Sequence, residues 1–199
     1  GRRSPAWIGV ARVKAVRPLK ELIDNGEPGI DLVREWAGEA VGSVEFLPRS
    51  AGRSESALLA LQVTTRSPMG ALTFETGGLL VDSGWIRVLG GGCERLPGID
   101  QWNRFNDRGA THRFPSALIV GWDVLGGFFA LNGGAFAGEL GHVFYFAQDT
   151  LGWESLERGY SDWLCFLFSS NLTGFYGDQR WPGWETEVAQ LAGERGISV

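Results

Sequence analysis

Between residues 117 and 147 the chain reads ALIVGWDVLGGFFALNGGAFAGELGHVFYFA, three short apolar runs at 117–122, 128–131 and 143–146 parted by glycine, Asn and Asp. Apolar runs of this length between turn signals predict strands buried on both faces, because an amphipathic helix needs a longer periodic pattern. Gly126, Gly127, Gly133 and Gly134 fall where the backbone must turn sharply. This stretch is the expected core, and the rest of the chain reads as elements packed on it.

Upstream, Leu19, Leu22 and Ile23 make one face of a short helix that Asn25 and Gly26 stop. Leu32, Val33, Trp36, Ala37 and Ala40 recur at three- and four-residue spacing, a helical stripe ended by Gly42. Residues 44–47 read as a short extended segment before Pro48, and Ser54 as the cap of a helix carrying Ala57, Leu58 and Leu61. Three strands at 71–75, 79–82 and 85–89 are expected next, an antiparallel meander turning at 76–78 and at Ser83-Gly84. Residues 90–115 have no sustained period and read as a long excursion. Beyond the core lie an edge strand near Trp153, a helix capped by Ser161 or Asp162 and apolar almost all round, an aromatic turn-rich tail over 171–184, and a last helix over 185–191. Residues 1–16 read as a poorly ordered arm or leader and 17–199 as a single α+β domain.

Composition narrows the partner classes. Nine Trp, twelve Phe and three Tyr supply a well-filled core, and thirty glycines, without a collagen-like period, point to many tight turns. Eighteen Lys and Arg stand against 23 Asp and Glu, a formal net charge of −5. That balance argues against nucleic acid, whose binders draw most affinity from phosphate contacts, and suits docking on a basic protein. Two cysteines make no disulfide framework and no CxxC site; Cys165, in an apolar run, is expected to be a buried thiol. No apolar run is long enough for a membrane span and no signal peptide is evident, so cytoplasmic residence is expected.

The chemistry-bearing residues are few. His112 and His142 are the two histidines, and His142 has Glu139, Asp123 and Asp149 near it in sequence. Their spacing fits no metal-ligand motif, and neither a metal nor a cofactor is expected. Cys93 with a histidine would make a nucleophile and base, but nothing flanking it argues for activation. LGGGCE after a strand has the glycine content of a phosphate loop without its Gly-Lys-Ser/Thr ending. Asp82, Asp123 and Asp149 stand at turns, where Asp bonds the local backbone. Trp102, Trp153, Trp181 and Trp184 fall in loops or near element ends, where aromatics either close a core or offer a platform to a partner.

The blocks LQVTTRSPMGALTFETGGLLVDSGWIRVLGGG, DVLGGFFALNGG, GHVFYFAQDTLGWESL, GYSDWLCF and RWPGWETEV resemble a bacterial family known only as a domain of unknown function, over residues 18–198. More distantly, the order GG, FFALN, LGWESL and YSDWLCF is similar to the SUKH superfamily, which includes toxin-immunity proteins and cell-wall regulators. That resemblance implies an α+β fold, a central, largely antiparallel sheet with packed helices, and a non-enzymatic role in binding a protein, immunity-like or regulatory, with a basic toxin domain among the partner types. It carries no set of catalytic residues. The expected contact residues are Trp102, Phe105, Asp107 and Arg108, from the irregular 90–115 segment. Two rival readings are an enzyme acting on a small molecule or glycan through Asp123, Glu139 and His142, which must then converge in one pocket, and a homo-oligomer joined through exposed aromatics.

Overall fold

The computed structural model describes residues 16–105 and 114–191; the expected arm over 1–16 lies, Val16 apart, outside them. Two helices open the described chain, α1 (Leu19–Leu22) and α2 (Gly29–Gly38). Strand β1 (Val44–Leu47) is followed by α3 (Ala51–Leu61) and α4 (Pro68–Glu75). Then come β2 (Gly78–Val81), β3 (Ile86–Leu89) and α5 (Ile99–Asn103). The central strands are β4 (Ala117–Asp123), β5 (Phe128–Asn132), β6 (His142–Ala147) and β7 (Gly152–Gly159). Helices α6 (Tyr160–Phe168), α7 (Asn171–Tyr176) and α8 (Trp184–Ala189) close the described chain, with a 3-10 turn at Gly177–Gln179. All seven strands form one sheet in sequence order, every neighbouring pair antiparallel, so the fold is α+β as expected.

Four expectations are corrected. Residues 71–75 belong to helix α4 rather than a strand: Ser67 caps it, accepting from the Gly70 amide at 3.1 Å, and Pro68 occupies the first turn, where a missing N–H costs nothing. Because α4 is buried on nearly every side, its apolar residues form a run and not a stripe. Ser54 is an interior residue of α3, fully buried, with Ser50 at the cap position. The stripe in α2 ends at Gly38, four residues before Gly42. Cys165 is exposed, because helical periodicity turns Trp163, Leu164, Leu167 and Phe168 inward and leaves position 165 outside.

The pleat gives the sheet two chemically different faces. Trp122 sits opposite Phe128, Phe128 opposite Phe146, and Phe146 opposite Trp153, so these four share one face. Asp123, Gly121, Phe129 and Tyr145 share the other. On that second face α6 lays Trp163 against Phe129, with ring centroids 5.2 Å apart. Gly121 is needed there: a Cβ would sit 2.6 Å from the Arg87 carbonyl oxygen and 3.4 Å from the Trp163 ring.

The segment after β3 is built by close backbone approach. A Cβ on Gly91 would collide with Ser54 and with the Thr73 carbonyl, so the glycine triplet serves packing of the loop onto α3 and α4. The loop then enters α5, whose Asn103 is fully buried. β3 pairs with β4 only over Gly121 to Asp123, which leaves the backbone of Ile119 open on that side. Asn103 fills the gap like a piece of strand: its Nδ2 donates to Ile119 O at 2.9 Å, and its Oδ1 accepts from Ile119 N at 2.8 Å. This pairing fixes α5 against the first sheet face.

Candidate functional site

With α5 docked by Asn103, Trp102 lies flat on Trp122, centroids 4.4 Å apart and planes at 23°. Phe128 continues the stack at 6.4 Å. From the other side Trp153 of β7 packs on Phe146 at 5.4 Å, Phe114 at 5.4 Å and Phe136 at 4.6 Å. Between these two aromatic groups runs a groove of about 270 Å³ lined by Trp102, Phe114, Ile119, Phe128, Phe146 and Trp153. Five of the six side chains are aromatic and none carries a charge, so the groove selects for apolar groups. Beside Trp102, burial pushes the Asp100 carboxyl above its ordinary range, against the opposing pull of backbone N–H groups.

The opposite face is closed over a carboxylate. Asp123 is 1 % exposed. Its Oδ1 accepts from the Leu125 and Gly127 amides at 2.9 and 2.8 Å, and its Oδ2 from the Tyr145 and Tyr176 hydroxyls at 2.6 and 2.9 Å. Both tyrosines are held protonated far above the usual phenol range, first by burial and then by the negative charge they face. A carboxylate accepting four donors has no lone pair left for a substrate proton, and the hydroxyls are already committed. The turn bonds expected of Asp123 are present, and the tyrosines add a tertiary anchor to them.

The structure separates the residues of the catalytic reading. His142 and Glu139 form a surface pair, Nε2 to Oε2 3.4 Å, with the Glu139 side chain 74 % exposed. Asp123 lies at the end of the sheet marked by the Trp122–Phe128–Phe146 row, whereas His142 lies past the Leu131–Val143 pair at the other end. About five residues of strand, some 17 Å at 3.3 Å each, part them, and they face opposite sides. Asp123, Glu139 and His142 therefore do not make one site. Cys93 is buried beyond β3, its Sγ accepting from the Arg95 amide at 3.4 Å, and β4 and β5 stand between β3 and the strand that bears His142. Among the described residues no group of three His, Cys, Asp or Glu is placed to hold a metal ion.

Of the expected contact residues, Trp102 lines the groove and Phe105 ends the α5 loop, half-buried, its amide bonded to Asp100 O at 3.2 Å. Asp107, Arg108 and His112 lie outside the described residues. The four loop tryptophans divide evenly. Trp102 and Trp153 border the open groove. Trp181 and Trp184 instead close the core on Trp85, at 5.8 and 5.1 Å, with the Arg180 guanidinium 4.4 Å from the Trp184 ring and 2.5 Å from Asp82. Phe114, Phe128 and Phe146 were not singled out by sequence; the runs containing Phe128 and Phe146 read as strands buried on both faces, and nothing local shows that one face carries a groove.

Fold and site together define an α+β protein built on a single antiparallel sheet, with an apolar groove on one sheet face. The chain belongs to the family described as Protein of unknown function DUF2625, whose model matches residues 19–199. It is 40% identical over 178 residues to the uncharacterised protein YbfG of Escherichia coli (strain K12), covering 89% of this chain and 81% of that one. It is 35% identical over 181 residues to an uncharacterised protein of Haemophilus influenzae, covering 90% and 79%. No solved structure matches the chain. Among the described residues no helix is long and apolar enough to cross a membrane.

Proposed function

We propose that this is a non-enzymatic binding module, SUKH-like in its immunity or regulatory role, that holds a basic protein partner through the aromatic groove. The observation that supports this reading is the groove itself, open and uncharged on a sheet whose other face is closed. Its occupant is an apolar side chain projecting from the partner; burying one such group in full contributes about 1.5–3 kcal/mol. Trp102 is the anchor, and Phe105, Asp107 and Arg108, which follow it in the chain, are the further contact residues of this reading. The net charge of −5 steers a basic partner toward the protein and gives the association a dependence on salt.

The test is affinity capture from lysate of the source bacterium with wild type, Trp153→Ser, Phe146→Ser and the distant surface variant Val41→Ser. The expected result is a basic protein retained by wild type and Val41→Ser, lost from both groove variants, and released by added salt. Identical recovery with all four proteins would overturn the reading.

A further inference from the structure

A second feature, independent of the groove, lies on the same sheet face. Arg87 occupies the middle of β3, opposite Leu80 on one side and Trp122 on the other. It is 1 % exposed, and its Nη1 has no hydrogen-bond partner among the described residues. Burial draws its pKa down to about 10, which leaves it charged at neutral pH. Asp123, whose negative charge acts on Arg87, projects from the other face and spends its oxygens on Tyr145, Tyr176, Leu125 and Gly127. A buried guanidinium without a partner is costly, and proteins pair such charges.

Beside Arg87 is a cavity of about 20 Å³, bordered by Leu80, Ser83, Arg95, Val188 and Leu191 as well as by Arg87 itself. That volume is sufficient for one water-sized occupant. Arg95 brings a second guanidinium to the lining, held by Glu45. With Arg95 paired to Glu45, the guanidinium left to compensate is Arg87, and the largely apolar wall beside it favours a negative occupant over a water molecule, because water satisfies an N–H but leaves the charge uncompensated. We propose that this cavity is a binding site for one monatomic anion of halide size, with Arg87 as its principal ligand and Arg95 as support.

The test is thermal unfolding of the full chain in sodium chloride or bromide against sodium gluconate at equal ionic strength, gluconate being too large for the cavity. The expected result is a saturable rise in Tm of roughly 5 °C with each small anion, since a ligand that binds only the folded state stabilises it by mass action. The rise disappears in Arg87→Met and persists in the exposed-residue control Arg34→Gln. An equal Tm in chloride and gluconate, or a rise retained in Arg87→Met, would overturn the proposal. Should Arg87→Met fail to fold, chlorine-35 NMR of the wild type decides: line broadening reversed by bromide supports the site, and unbroadened lines refute it.

Discussion

Trp122 and Asp123 are neighbours in sequence and opposites in fate. Trp122 points to a face where aromatic rings leave a groove open to solvent, and Asp123 to a face where four donors converge on one carboxylate beneath packed helices. The closed face supplies cohesion, since the Asp123 carboxylate is met by four donors and the Trp163 ring is fully buried. The open face leaves apolar area exposed to water, a cost that folding alone does not explain and a partner would recover. A substitution on one face should therefore act on stability, and one on the other on binding.

The largest effect is expected at Asp123. Asp123→Ala strands the buried Tyr176 hydroxyl, the half-buried Tyr145 hydroxyl and two backbone N–H groups, each unmade bond costing about 1–3 kcal/mol, so urea unfolding should show a loss of about 4 kcal/mol or more. Next is Trp163→Ala, which opens a cavity between α6 and β5 and should cost about 3–5 kcal/mol by the same measurement. A loss below about 1 kcal/mol in either variant would mean that the closed face is not what holds the sheet.

Alkaline pH probes the same face more gently. Tyr145, Tyr160 and Tyr176 all have folded pKa values raised above the ordinary phenol value of 10.0, by burial first of all. Such groups stabilise the fold below pH 10 and lose that contribution as pH rises beyond it, at about 1.4 kcal/mol per pH unit for each fully buried tyrosine. Arg87 acts with the opposite sign between about 10 and 12.5, because its folded pKa is lowered, and offsets part of the loss. Stability should stay level from pH 7 to 9 and fall above 10, less steeply in Tyr176→Phe. An unchanged slope in that variant would remove Tyr176 from the account.

The smallest stability effect belongs to the open face. Trp153→Ser should cost no more than about 1–2 kcal/mol, because the ring is only half-buried, while abolishing partner capture. The contrast with Trp163, one strand-to-helix connection away, is the sharpest form of the comparison.

How far sequence could see this follows from which interactions are local. The runs at 117–122, 128–131 and 143–146 announce β4, β5 and β6 because a buried strand leaves an unbroken apolar run between turn residues. Residues 71–75 gave the same signal from a buried helix, where only the preceding Ser67-Pro68 pair marks the difference. Asp123 was legible as a turn residue but not as the acceptor of Tyr176, which lies 53 positions along the chain. Trp102 could be singled out as a loop aromatic, but its groove depends on Asn103 reaching β4 and on Trp153 arriving across the sheet. His142 and Asp123 looked close because they are only nineteen positions apart, and the intervening β5 hairpin carries them to opposite ends.

Phe146 and Phe175 test the two faces directly: Phe146 lines the groove, while Phe175 packs edge-on to Tyr145 above the closed face and is 36 % exposed. A photo-crosslinking phenylalanine analogue placed at either position in living cells would report what touches each face. The account predicts a discrete protein adduct from position 146 and none from position 175. An adduct from 175 alone, equal adducts from both, or none from 146 would contradict it.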